Sequence, residues 1–300
     1  MGHDHGHHHG HHHHHHGVKN LRVAFFLNLG FTVIEIIGGL LTNSVAILSD
    51  ALHDLGDSLS LGLSWYFQKI SGRGRDKTFS YGYSRFSLLG AVINSVVLLT
   101  GSGIIIYEAI PRLFNPEQPD AEGMMYLAIL GIVVNGIAVL RLRKGSSLNE
   151  EVVSLHLLED VLGWVAVLIG SVAMRFYDIP ILDPILSLLI ASYILYNVFG
   201  NIKKSFRIIL QGTPKGVEID KIIAEINKNP EIKSVHDCHL WSMDGEYYIF
   251  SAHLVVAREK GMAELAEIKD RVRTLLKSFS IEHATIEFET ESESCELEHC

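Results

Sequence analysis

Two apolar stretches of membrane-spanning length each carry a histidine followed four residues later by an aspartate. His53 and Asp57 lie in SVAILSDALHDLGDSLSLGLSWYF, and His156 and Asp160 lie in VVSLHLLEDVLGWVAVLIGSVA. Charged groups at membrane depth are costly unless they are paired, so this pattern limits the chain more tightly than its composition does. Residues four apart on a helix lie about 40° apart around its axis, so each pair makes a two-ligand jaw on one face. Two facing jaws supply two imidazoles and two carboxylates. That is a full tetrahedral shell for a divalent metal such as zinc, with the formal charges cancelled.

Of the 300 residues, 48% are hydrophobic, and the mean hydropathy of +0.23 is high for a soluble protein. Six stretches are long enough to span, near 20–42, 45–68, 86–110, 123–142, 152–175 and 181–201. The second and fifth are expected to score poorly on hydropathy because they carry the acids. No cleavable signal peptide is expected, because the histidine-rich N-terminus runs directly into a span. Lys and Arg crowd the connections on one side: Lys69, Arg73, Arg75, Lys77 and Arg85 link spans 2 and 3, with further clusters before span 1, after span 4 and after span 6. The opposite links hold only Arg112 and Arg175. This asymmetry predicts that both termini face the cytoplasm. The basic residues flank the membrane instead of forming a patch with interleaved aromatics, so nucleic-acid binding has no support and lipid is the expected surrounding. The net charge of −9 averages these flanks with an acidic C-terminal part.

The 18 histidines fall into three groups. Eleven lie in residues 3–16, a low-complexity tract that gathers metal weakly if native and is otherwise an expression tag. Two are His53 and His156. The other five, His236, His239, His253, His283 and His299, all follow the last span, as do the three cysteines, Cys238, Cys295 and Cys300. A cytoplasmic location argues against a disulfide framework and makes metal binding or free thiols the expectation. The sequence divides into a His-rich tract (1–17), a membrane domain (18–202), a linker (203–215), a soluble domain (216–290) and an acidic tail (291–300). In that tail Cys295, His299 and Cys300 are candidate ligands.

Residues 216–290 read as α–β–β–α–β. One helix presents Val217, Ile222, Ile223 and Ile226, and the other Leu265, Ile268, Val272, Leu275 and Leu276. Asp244-Gly245 signals a hairpin between two strands. Phe250, Leu254 and Val256 face the helices, with His253 on the other face. In the last strand Ala284, Ile286 and Phe288 face in, while His283, Thr285, Glu287 and Glu289 face out. His236, His253, Glu287 and Glu289 are therefore candidate ligands, with His239 and His283 in reserve. The bland alternative for this face is solvated polar surface or a dimer contact. At about 75 residues the domain is marginal alone, and docking on a second copy would help it.

SDALHDLGD in span 2, HLLED in span 5, YEAIPRLFNP closing span 3, DPILSLLIASYIL in span 6 and VHDCHLW opening the sheet together resemble the cation diffusion facilitator family, in particular its zinc-transporting branch. The resemblance covers nearly all of residues 18–290. It implies a homodimer of metal/proton antiporters, each with six transmembrane helices plus a C-terminal cytoplasmic α+β ferredoxin-like (αββαβ) domain. It maps the transport site onto His53, Asp57, His156 and Asp160, a composition similar to zinc-preferring members, so cadmium is expected to be a poor substrate. Some members carry histidines in the span 2–3 link that make a peripheral zinc site. Here Tyr83 and Ser84 stand at that point, so this site is expected to be absent or reduced to Asp76. Asp54 and Glu159 add charge beside the ligand pairs. Asp54 either relays protons or gathers cations at the entry, or contacts Asn28, Glu35 or Asn135.

Imidazole must be neutral to ligate, so metal binding releases protons and weakens as pH falls. The expected function is zinc export driven by a proton gradient, with Zn2+ and H+ as transported ions, no cofactor, and zinc also a regulatory ligand of the soluble domain. The alternatives are a membrane zinc hydrolase, with Glu159 the only spare base, and a metal sensor that binds without flux. Cobalt, iron and manganese are the competing cargoes. The compact chain without a targeting peptide suggests a bacterial inner membrane.

Overall fold

The computed structural model describes residues 14–142, 148–256 and 260–293, with side chains from Phe25 onward except at 64, 65, 68, 141, 142 and 148–156. Six long helices come first: α1 (His14–Thr42), α2 (Val45–Ser71), α3 (Phe86–Phe114), α4 (Ala121–Leu142), α5 (Leu148–Tyr177) and α6 (Leu182–Ile209). The soluble part follows as α7 (Ile219–Ile226), β1 (Ile232–Ser242), β2 (Tyr248–Val256), α8 (Met262–Ser278) and β3 (Ile281–Thr290). The expected linker at 203–215 therefore begins inside α6, which continues to Ile209.

Among the described residues, α1, α3, α4, α5 and α6 each contain a stretch long and apolar enough to cross a membrane. α2 does not, because Asp50, His53, Asp54, Asp57 and several serines interrupt it. α5 was expected to score as poorly but qualifies over Leu157–Tyr177, a run that begins just past His156 and keeps only Glu159, Asp160 and Arg175 as charges. Large apolar side chains stand outward along the helices; Leu41, Tyr107, Phe176 and Tyr196 are each more than three-quarters exposed. A bilayer, not water, suits such a surface.

The chain separates into two compact units, one built from residues up to Trp65 with Ile93–Phe199 and the other from Tyr66–Val92 with the chain from Gly200 on. In the first, two apolar clusters meet at α2. Ile47 packs with Phe31, Met124, Ala128, Trp164, Val167 and Met174 of α1, α4 and α5. Val45 packs with Ile105, Ala109 and Ala191 of α3 and α6. The approach of helices is close enough to require glycine: a Cβ on Gly131 would come within 2.4 Å of the fully buried Trp164 ring.

In the second unit, β2 is the central strand, antiparallel to β1 and parallel to β3. The parallel pair requires a crossover, and α8 supplies it. The core comprises Ile222 and Ile226 of α7, Ile268, Val272 and Leu276 of α8, and Leu240, Phe250, Ala252, Leu254, Val256 and Ile281 of the strands. Ala284, Ile286 and Phe288 pack against it, as their alternation predicts. The hairpin turns at Gly245 (φ 108°), with the Asp244 carboxylate accepting from Glu246 and Tyr247 N–H.

Candidate metal centres

In the membrane unit, α2 and α5 bring three of the four predicted ligands together. His53 Nε2 lies 3.7 Å from Asp57 Oδ2 on its own helix and 3.9 Å from Asp160 Oδ1 across to α5. Both separations exceed hydrogen-bond length. They are close to the ~3.4 Å that separates two N/O ligands of one tetrahedral zinc. The Asp160 side chain is 3% exposed and Asp57 is 24% exposed, so the jaw is sealed on the α5 side and partly open on the α2 side. His156 belongs to α5, one turn before Asp160, but its side chain lies outside the described residues.

The neighbours of this cluster answer part of the question about the extra acids. Asp54 is buried with its carboxyl against that of Glu35 on α1, which is also fully buried. Asn28 donates to the Asp54 backbone carbonyl and to Ser58 Oγ, at 3.2 and 3.1 Å. Glu159 points outward and accepts from the Tyr193 hydroxyl on α6 at 3.2 Å. The Tyr193 ring stands edge-on to the His53 ring, 6.5 Å between centroids. Sequence reasoning missed Tyr193, which sits in an apolar run on a helix with no spacing relation to either jaw.

The second cluster lies on the sheet face away from α7 and α8. His236 and His253 are cross-strand partners, and Glu287 pairs with His253 from β3. The Glu289 carboxylate lies 3.2 Å from His236 Nε2 and 2.8 Å from His253 Nδ1. His236, His253 and Glu289 can each offer one ligand atom within 4.8 Å of the others. Glu287 reaches His253 Nε2 at 3.5 Å but is mostly exposed. Between His236 and His239 the β1 register slips, and Asp237 takes a left-handed conformation (φ 46°). This bulge turns the Asp237 carboxylate to His253 Nε2 at 3.4 Å and to His239 Nε2 at 2.7 Å. Asp237 is thus a candidate ligand that strand alternation could not reveal.

Three other residues singled out in the sequence have surroundings of their own. His283 does not join the cluster: it pairs with Ile249, four residues along β3 from Glu287, a separation of about 13 Å. Its ring meets Tyr81 edge-on instead. Asp76 accepts from Thr78 N–H, Phe79 N–H and the Tyr83 hydroxyl at 2.7–2.8 Å, and these bonds, the hydroxyl foremost, hold its carboxyl below the usual range. Cys238 is half-buried against the domain core, and burial with the Asp237 charge pushes its thiol up to about 11. Thiolate is the ligating form, so Cys238 is a poor metal donor at neutral pH. Cys295, His299, Cys300 and the histidines at 3–13 lie outside the described residues.

The profile described as "Cation efflux transmembrane domain" matches residues 21–210. The chain belongs to the cation efflux family. Residues 214–291 match that described as "Cation efflux protein, cytoplasmic domain". A cadmium, cobalt and zinc/H(+)-K(+) antiporter of Bacillus subtilis is 34% identical over 97% of this chain and 93% of its own length. Zinc transporter ZitB of Pectobacterium atrosepticum is 33% identical, covering 94% and 88%, and that of Escherichia coli K12 is 31% identical, covering 96% and 93%. This cation efflux protein is accordingly a multi-pass membrane transporter and not an enzyme, with a helical membrane part followed by a cytoplasmic domain built on a small sheet.

Proposed function

We propose that this transporter exports zinc from the cytoplasm in exchange for protons, through a tetrahedral site of His53, Asp57, His156 and Asp160. The observation that carries the reading is the convergence of His53, Asp57 and Asp160 from two helices at 3.7–3.9 Å, a gap suited to a bound cation. α2 then serves as a sixth span. Its 27 residues reach about 40 Å, and the two-residue turn at Asn43 and Ser44 sends it back along α1. The metal site itself lowers the hydropathy of α2. Both termini face the cytoplasm, as the Lys and Arg of the span 2–3 link require. The names of the relatives support zinc as cargo, and their organisms fit the expected bacterial inner membrane.

Export begins with the site open to the cytoplasm. Zinc sheds water and binds when both imidazoles are neutral, and the two carboxylates balance its charge. On the far side, protons compete for the same imidazoles and carboxylates and displace the metal. The soluble domain, read as ferredoxin-like and dimeric within 216–290, adds a regulatory site of His236, His253 and Glu289, with Glu287 and Asp237 at its edge. Zinc there would replace the contacts that Glu289 and Asp237 now make to the two rings. A broader cargo range is the second reading, favoured by the cadmium and cobalt in the name of the Bacillus subtilis relative.

The deciding test is zinc flux into proteoliposomes under an imposed pH gradient, with Asp57→Ala and Asp160→Ala beside the native protein. Gradient-driven flux lost in both variants is the expected result. Zinc binding without flux in the native protein would overturn the reading and favour a sensor.

A further inference from the structure

The N-terminal end of α2 is closed by a carboxylate from another helix. Ser44 caps α2 locally, its Oγ accepting from Ile47 N–H at 3.2 Å. The first helical N–H groups, of Val45 and Ala46, donate instead to Asp183 at 2.9 and 3.3 Å, and Ser44 Oγ donates to the same carboxylate at 2.5 Å. Asp183 itself occupies the first turn of α6. One carboxylate therefore serves the positive ends of two helices, in a place where water cannot substitute: Asp183, Ser44, Val45 and Ala46 are all at most 1% exposed.

The burial of α2 changes along its length. From Ser44 to Ala51 every residue except Leu48 is buried, whereas beyond Ser58 none of the described side chains is. His53 and Asp57 lie between, His53 about 13 Å from Ser44 along the axis. The metal jaw is thus packed off from the Asp183 end and less enclosed toward the other. The same end is where the two apolar clusters meet on α2, Val45 joining α3 and α6 and Ile47 joining α1, α4 and α5.

We propose that Asp183 is a positioning residue for transport: it clamps the N-terminal end of α2 to α6 while the site opens toward the other membrane face, and must release that end before the site can open past it. The inference rests on the transporter reading. It adds that one buried cap, sited between two helix groups, sets the balance of the two access states. Losing hydrogen bonds to a buried charged group shifts such an equilibrium by about tenfold or more.

Ser49 lies between the clamp and His53, fully buried, with its hydroxyl 3.5 Å from the Ser187 carbonyl of α6. Ser49→Cys is nearly isosteric and makes a reporter once Cys238, Cys295 and Cys300 are changed to Ser. The full-length protein in proteoliposomes is treated on both sides with a membrane-impermeant thiol reagent. With Asp183 intact, labelling is expected to be slow. Asp183→Ala should speed it about tenfold or more and cut zinc flux, while Asp183→Asn, whose single oxygen can accept from Val45 or Ala46 but not from both, should fall between the Ala variant and the intact protein. Equal labelling with Asp183 and with Ala would overturn the clamp, whatever happened to flux. If the Ala variant does not fold, Ser44→Ala should raise labelling by a smaller factor, and no rise there overturns the clamp too. Expected labelling in a protein that carries no zinc would leave the clamp standing and sink the transporter reading alone.

Discussion

The two candidate metal centres are built from similar side chains but differ in how closely those side chains already approach one another. Between α2 and α5, His53 stands 3.7 and 3.9 Å from its two carboxylates, too far for hydrogen bonds. On the sheet, His253 and His236 already hold Glu289 at 2.8 and 3.2 Å, and Asp237 closes onto His253 and His239. At the helical site the spacings already match those of ligands around one ion, whereas on the sheet a cation must first part Glu289 from His253. On the proposed reading the helical site suits repeated loading and unloading, and the sheet site a response that sets in only when metal is plentiful.

The largest effect should follow removal of a carboxylate from the helical site. Asp160→Ala or Asp57→Ala is expected to lower zinc flux at least a hundredfold, since the outer partners of metal ligands alone are worth about 10–100-fold. Retained flux in Asp160→Ala would break the comparison outright. A smaller effect concerns cargo. Two imidazoles and two carboxylates form a borderline-to-hard shell, whereas cadmium prefers softer donors. Zinc flux should exceed cadmium flux severalfold under the same gradient. Equal fluxes would mean that ligand chemistry does not select at this site and would move the broader reading to first place.

The pairing of His53 with Asp57 was legible in the sequence because four-residue spacing is a property of the helix itself: wherever α2 and α5 pack, His53 stays beside Asp57. The sheet site was legible only in part. Alternation along β2 and β3 correctly put His253, Glu287 and Glu289 on the face away from the helices. Alternation fails at a bulge, and the Asp237 bulge carries a carboxylate into the cluster. It also cannot measure distance along a strand, so His283 shares the right face yet lies too far away. α6 left the least trace. Tyr193 and Asp183 act on α2 across helices, and Asp183 appeared in the sequence only within a family motif, with no local sign that it would cap another helix.

Changes in the sheet site should act on the response to zinc more than on its passage. Glu289→Ala removes contacts to both histidines and is expected to weaken zinc binding by the purified soluble domain in calorimetry, if that domain folds alone. In the full-length protein it should reduce maximal flux no more than a few-fold while moving its zinc dependence. Asp237→Ala should weaken binding less, since that carboxylate sits at the edge. Glu289→Ala abolishing flux as completely as Asp160→Ala would erase the distinction between a cargo site and a regulatory one.

The smallest effect falls on Cys238, which lies beside the sheet site and yet outside its chemistry. Its Sγ is 3.7 Å from the His236 carbonyl, and burial followed by the Asp237 charge raises its thiol from 9.0 to about 11. The folded state thus favours the neutral thiol. The stability gained from this is complete below pH 9 and is lost as pH rises through about 11. Alkylation needs the thiolate. With Cys295 and Cys300 changed to Ser, labelling of Cys238 followed by mass spectrometry should be slow at pH 7 and rise steadily up to about pH 11. Cys238→Ser should leave zinc binding unchanged. A marked loss of binding would instead mean that zinc draws the proton off the thiol and that sulfur belongs to the shell. The sheet site would then be softer than the helical one, and the two centres would differ in the metals they accept as well as in how they hold them.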